Sequence, residues 1–401
     1  MSRFDTRVKL KLRTLESKYP NRTLKKILSL WWFCFMCLSD YCLKSLYIKK
    51  TSSKNGKARI AFNLKGGLGD IIIGLNYVCH FHKYCGSENF EIDVYISNSN
   101  PKAFISLISA DYKEIIKNCY QGLCNDTTGY ALILDIIRFP EVLYYDKNII
   151  SNFPHLELLL KKYSEFIKKN YILIDNEPYL DSVENRICLN MGFKRINQPD
   201  IGKILNIGEE FAIPVPVANE KEVLEKYGIT GKFITINRSC GDMGIVQSTK
   251  LWPYGHYNKL IALIKKEYPG LDIVQIGRTE QTEHIIKGID KNLVGKTNFD
   301  ELKVLLKNSF VHIDSEGGLV HLRKALRGGK SIVMFGPTHK EIYGYSSNAN
   351  IKAENACPGD CEWLSSEWQL KCLKTGTTKS PCMEAITPER VFTEFEKICR
   401  E

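Results

Sequence analysis

Several features are missing from this 401-residue chain, and each absence removes a class of protein. No stretch offers the roughly 20 apolar residues that a membrane-spanning helix needs. The apolar run Ile27 to Leu38, "ILSLWWFCFMCL", stops at twelve. No small-residue cleavage site follows it, which argues against a removed signal peptide. There is no internal repeat and no low-complexity tract, and 44% hydrophobic with 25% charged residues excludes a disordered chain. Most of the chain also lacks net charge. The formal +11 resides in residues 1–57, where 14 Lys/Arg face only Asp5, Glu16 and Asp40, leaving residues 58–401 with 42 charges of each sign. A neutral body without a basic, aromatic-interleaved surface argues against nucleic acid as a partner.

What is present begins with that basic arm. Trp31, Trp32 and Phe33 near Lys25, Lys26 and Lys44 suit a helix lying in a membrane interface, and a helical hairpin docked on the core is the alternative. From Ala58 onward, short apolar runs alternate with helical periods. "ARIAFNL", "FEIDVYI" and "YALILDII" read as strands, Asp70 to Cys85 as a helix ended by Gly86, and "PKAFISLIS" as a helix. Residues 198–218 are rich in Pro and Gly and lose the alternation, as a linker would. The alternation resumes with strands "KFITINRS", "LDIVQIG", "FVHID" and "KSIVMFG". Helices fall between them, the first starting at Tyr254 with Tyr257, Leu260, Ile261 and Ile264 on one face. The expected fold is α/β, two Rossmann-like units facing a cleft at their strand carboxyl ends.

Three stretches at strand ends can carry chemistry. "FNLKGGLGDIIIGL" has neither the Walker A lysine nor the G-x-G-x-x-G spacing, but its glycine turn delivers Asp70 to a helix N-terminus. A carboxylate there is stabilised as the anion, as a catalytic group or as a plain cap. In "INRSCGDMGIVQSTKLWP", Lys250 precedes a Pro-initiated helix, where it can meet an anion or simply face water. "IDSEGGLVHL" sets Asp314, Glu316, Gly317 and Gly318 between a strand and a helix bearing His321. Glycines there let backbone amides approach a diphosphate, and an acid can bind sugar hydroxyls.

"KGGLGDIIIGL", "KLWPYGHYNKL", "VQIGRTEQTE" and "DSEGGLVHLRKALRGGKSIVMFGPT" together resemble, in order, the motif series of the family 9 glycosyltransferases, the ADP-heptose heptosyltransferases of bacterial surface glycans. The resemblance implies a GT-B architecture, with residues 58–205 as acceptor domain, 206–386 as nucleotide-sugar domain and 387–401 as a C-terminal helix. It implies Asp70 as general base on the acceptor hydroxyl, with Gly67, Leu68 and Gly69 forming the acceptor loop. Asn237, Arg238, Ser239 and Lys250 fall on donor-phosphate positions, and Glu316, Gly317, Gly318 and His321 on the nucleotide side. The family's Asp-Ser/Thr-Gly-x-x-His is two residues shorter than Asp314 to His321 here, so Glu316 takes the acidic position and Asp314 is the alternative. The implied reaction is inverting, uses no catalytic metal, and moves heptose from ADP-heptose to a lipid-linked saccharide such as lipopolysaccharide. Its implied place is the cytoplasmic, inner face of the bacterial inner membrane, with the arm peripheral on it. A protein O-heptosyltransferase and a GT-B-like sugar-nucleotide epimerase are the alternatives, and the oligomeric state is left open.

Fourteen cysteines without a secretion signal imply a reducing compartment. Cys357, Cys361, Cys372 and Cys382, within residues 357–382, have the number and softness of ligands for a closed, structural metal site. Their placement resembles the four-cysteine iron finger of autotransporter heptosyltransferases, which implies iron, while the ligand set alone fits zinc equally. "CHFHKYC" at Cys79–Cys85 is expected to pack, since His80 does not share the helix face of Cys79 and His82.

Overall fold

The computed structural model describes residues 57–401 except for segments 87–88, 98–103, 105–107, 109–111, 125–128, 137, 175–180, 239–247, 279–284, 354–356, 358–360 and 364–366; before residue 57 it describes only Leu28, Trp31 and Trp32. The reading of the arm, most of the helix expected at 101–109, and Ser239 lie outside the described residues.

The first sheet has strands β1 (Ala58–Lys65), β2 (Phe90–Ser97), β3 (Ile116–Gln121), β4 (Leu132–Ile136) and β5 (Pro140–Tyr145), in the spatial order β3-β2-β1-β4-β5. Helix α1 (Leu68–Cys85) follows β1 and ends at Gly86, whose φ of 80° suits glycine at a helix C-terminus. Helices α2 (Lys147–Ile150), α3 (Pro154–Ile174) and α4 (Asp181–Asn190) complete this half. The expected parallel unit needs one correction, because β5 runs antiparallel to β4. Strand β3, an edge strand exposing much of its surface, carries only a weak apolar signal in "IKNCYQ".

The second sheet, in the order β11-β10-β9-β6-β7-β8, comprises β6 (Phe233–Asn237), β7 (Asp272–Ile276), β8 (Lys291–Asn292), β9 (His312–Ser315), β10 (Ser331–Phe335) and β11 (Ala349–Lys352). All its pairings are parallel. Around it lie α5 (Glu220–Lys226), α6 (Tyr254–Glu267), α7 (Phe299–Asn308), α8 (Gly318–Ala325), α9 (Lys340–Tyr343), α10 (Pro381–Glu384) and α11 (Pro388–Arg400). Strands β4, β6 and β10 are buried along their whole lengths, as strands covered on both faces must be. Helix α6 buries Tyr257, Leu260, Ile261 and Ile264, the face expected from their spacing.

One buried apolar cluster runs from Ile60, Phe62 and Leu64 of the first sheet through to Leu322, Val333 and Phe335 of the second half. A second cluster, around Ile236, Trp252 and Phe395, seats α11 on the other side of the second sheet. Residues 198–218 form no helix or strand, but they are packed. The buried Asp200 carboxylate accepts hydrogen bonds from the amides of Ile204, Leu205 and Ile207 at 3.0, 3.1 and 3.2 Å. Ala212 N–H donates to Asn76 Oδ1 of α1 at 2.9 Å, and Val215 N–H to the Ala325 carbonyl at 2.9 Å, so the connection is fastened to both halves.

Candidate active site

Strand order reverses at β1/β4 in the first sheet and at β6/β9 in the second, and ligands of open α/β sheets bind beyond the carboxyl ends of such strands. Asp70 stands just past β1. Gly66 makes the turn with a φ of +101°, and a Cβ there would lie 2.5 Å from Asp70 Oδ2, so both the backbone angle and the carboxylate demand glycine. Asp70 Oδ2 accepts the Gly67 amide at 3.0 Å, and Oδ1 accepts Arg195 Nη2 at 2.6 Å. Asp70 therefore caps its own helix and also holds a cation. Burial works to raise its pKa, but the Arg195 guanidinium, with help from Arg138 and the Gly67 amide, leaves it below the usual carboxylate value. Arg195 is fixed in turn by Gln198 Oε1 at 3.1 Å and is itself buried.

On the facing side, Lys250 Nζ lies 2.5 Å from Glu316 Oε2, both side chains mostly buried. Two candidate donor residues from separate loops thus form one ion pair. Glu316 is tied to the neighbouring strand by its amide, which donates to the Met334 carbonyl at 3.1 Å. Asp314 lies elsewhere, within the sheet. Its carboxylate accepts both hydrogen bonds from Asn237 Nδ2, at 3.0 Å each, and lies 3.3 Å from His312 Nε2. Burial raises the Asp314 pKa against these partners. Asn237 is thereby also engaged inside the sheet, and Arg238 lies over the Tyr254 ring. His321 is buried, with Nδ1 2.7 Å from Tyr345 Oη, and its pKa is pushed down to about 4 by burial, so the ring is neutral at pH 7.

The two halves meet at helix N-termini. A Cβ on Gly69 would fall 2.6 Å from His321 Cδ2, and one on Gly318 would fall 2.8 Å from Leu68 Cβ and 3.0 Å from the Gly69 nitrogen. The loop Gly67–Leu68–Gly69 therefore abuts Gly317–Gly318, bringing Asp70 within electrostatic range of His321. Three further cleft residues are not marked by any motif. Arg195 sits in a segment of mixed character, and Arg138 follows β4, where the strand end is its one signal. Glu362 is fully buried in the short 3-10 helix Cys361–Trp363. Its pKa is pushed up to about 8 by burial and by Glu316, against Arg138 and Lys250.

The four candidate metal cysteines are described, and Cys361, Cys372 and Cys382 are buried. Burial, with Cys357 and Cys361 nearby, pushes the Cys382 thiol up to about 11. Among the described residues, however, no group of three or more His, Cys, Asp or Glu side chains is arranged to hold a metal ion. Protonated thiols have no attraction that would draw them into a tetrahedron; a cation supplies it. No helix of the described residues is long and apolar enough to cross a membrane. The pair Cys79 and Cys85 packs in the core, as expected.

Residues 224–365 match the model of glycosyltransferase family 9 (heptosyltransferase). No curated protein matches the chain. Among solved structures, E. coli ADP-heptose LPS heptosyltransferase II is 14% identical over 85% of this chain and 98% of its own, with a TM-score of 0.52. The iron-containing dodecameric glycosyltransferase TibC from enterotoxigenic E. coli H10407 is 16% identical over 86% and 80%, with a TM-score of 0.56. A family 9 glycosyltransferase from Veillonella parvula DSM 2008 is 12% identical over 87% and 99%, at 0.50. At these identities the likeness is one of fold, that of the GT-B glycosyltransferases. The family match itself covers residues 224–365 of the 401.

Proposed function

From the match of residues 224–365 to glycosyltransferase family 9, we propose that the protein transfers heptose from ADP-heptose to a lipopolysaccharide or other surface-glycan acceptor, with inversion and with Asp70 as general base. The observation that carries this reading is the abutment of the Asp70 loop on the Gly317–Gly318 turn, beside the Lys250–Glu316 pair. One side offers a base and the other an anion site. Residues 58–205 serve the acceptor; those of 206–386 serve the nucleotide sugar. TibC has also been solved in complex with ADP-D-beta-D-heptose, which supports this donor class.

In the proposed reaction the acceptor hydroxyl oxygen attacks the anomeric carbon while the bond to the diphosphate oxygen breaks. The hydroxyl proton passes to Asp70, and ADP leaves with the electron pair. Asp70 is ionised and aimed by Gly67 and Arg195 before substrate arrives, so it is a weak base in the resting site. It becomes effective late, when the sugar is oxocarbenium-like and the attacking hydroxyl has become acidic. Lys250 and the positive end of the α8 dipole meet the charge of the leaving diphosphate. Neutral His321, held by Tyr345, is a spacer at the junction of the two loops.

The thiols of Cys357, Cys361, Cys372 and Cys382 suit iron or zinc, and the group would be structural. Elemental analysis should find about one metal per chain, lost in Cys372→Ser; stable metal-free protein refutes the site. A protein acceptor remains the second reading, supported by the likeness of this segment to that of autotransporter heptosyltransferases. The donor is tested by thermal shift with ADP, UDP, GDP and CMP, each at about 100 times a plausible Kd, where selective binding adds about 2.7 kcal/mol. A shift with ADP alone is expected; a shift with UDP alone contradicts the heptose assignment.

A further inference from the structure

Five buried side-chain oxygens have no hydrogen-bond partner among the described residues; Glu316 Oε2 faces Lys250 and Asn350 Oδ1 belongs to β11, and the other three are Ser315 Oγ, Thr338 Oγ1 and Glu362 Oε2. Leaving such a group unpaired costs about 1–3 kcal/mol, so a group of them at one place marks atoms kept for a ligand. Their place in the fold is shared. Ser315 ends β9, and Thr338 comes three residues after β10, its hydrogen-bonded neighbour, on which Met334 stands opposite Ser315. Glu362 is pinned to the same loop, with its amide 3.5 Å from the Pro337 carbonyl and its Oε1 accepting the His339 amide at 3.3 Å. Asn185 Nδ2 of the first half also donates to Oε1 at 3.3 Å and to Tyr343 Oη at 2.8 Å, which leaves Oε2 as the unused oxygen.

The chemistry of this array selects its ligand. Two hydroxyls that both donate and accept, beside a carboxyl oxygen that accepts, match a ring bearing several hydroxyls. A diphosphate would meet Glu316 and Glu362 here and is better served by Lys250. An apolar group would leave all three oxygens unpaired. We propose that Glu362, with Ser315 and Thr338, binds the hydroxyls of the transferred sugar, so that the cysteine segment contributes a substrate-contacting carboxyl and sets sugar specificity. This inference rests on the nucleotide-sugar reading above.

The test is calorimetric titration of full-length protein with ADP and, separately, with ADP-heptose, for wild type, Glu362→Gln and the double variant Ser315→Ala/Thr338→Ala. Both variants should bind ADP within about threefold of wild type and ADP-heptose at least about tenfold more weakly, a difference of about 1.4 kcal/mol or more. The double variant guards against a folding defect, since deleting buried unpaired hydroxyls keeps or raises the melting temperature. Equal weakening for both ligands, or none for either, overturns the subsite while leaving the donor reading intact. Wild-type protein that binds neither ligand overturns the donor reading and the subsite with it.

Discussion

Asp70 is held by two contacts that both aim it and both weaken it as a base. The Gly67 amide and Arg195 fix its orientation, and the same Arg195 charge lowers its proton affinity. Arg195 is thus a positioning residue, and its removal has a signature that simple disruption lacks. In Arg195→Gln, Asp70 loses its counter-charge and its pKa rises, so the acidic limb of the pH profile of kcat/KM should move to higher pH. Maximal activity at high pH should fall less than activity at low pH. A profile of unchanged shape, scaled down uniformly, contradicts the role. Asp70, Lys250, Glu316 and His321 were legible because each sits a few residues from a glycine turn or a Pro-initiated helix. Arg195 and Arg138 were not, because their partners are brought to them by tertiary structure: Asp70 is 125 residues from Arg195.

At the scale of elements, the junction between α1 and α8 decides whether the two loops act together. Gly318→Ala places a methyl 2.8 Å from Leu68 Cβ and 3.0 Å from a backbone nitrogen, which cannot rotate away. Gly69→Ala meets the His321 ring, itself fixed by Tyr345. Each substitution should cost about 1–3 kcal/mol in urea unfolding and reduce turnover by separating Asp70 from the donor side. Wild-type stability and turnover in Gly318→Ala would show that the helices are not in functional contact. The four inner strands of the second sheet, β6, β7, β9 and β10, were legible, since buried parallel strands are continuous apolar runs. Strands β3, β5, β8 and β11 were missed because all four are edge strands, partly exposed and without the apolar run that marks the interior.

For the whole molecule, charge separates the chain into a neutral body and a basic arm. Trp31 and Trp32 are 70% and 62% exposed. Basic residues at an anionic bilayer contribute about 1 kcal/mol each, so the full chain should co-float with phosphatidylglycerol vesicles at low salt and be released as salt screens the attraction. Trp31→Ser/Trp32→Ser should weaken flotation. No flotation with anionic vesicles at low salt would remove the membrane from the account. The two-sheet architecture was legible from the alternation of strands and helices, while the packing of residues 198–218 was not, because a Pro/Gly-rich composition reads as a loose linker whether or not its backbone is tied down.

The measurement that bears most directly on the proposed activity is turnover and donor binding by Asp70→Asn with ADP-heptose and a heptose-accepting saccharide. The isosteric change keeps the Gly67 contact and removes the base. Transfer should be lost while ADP-heptose affinity stays within about threefold of wild type, a shift below about 0.7 kcal/mol. Near-normal turnover in this variant would contradict Asp70 as the base and, with it, the mechanism built on the abutting loops.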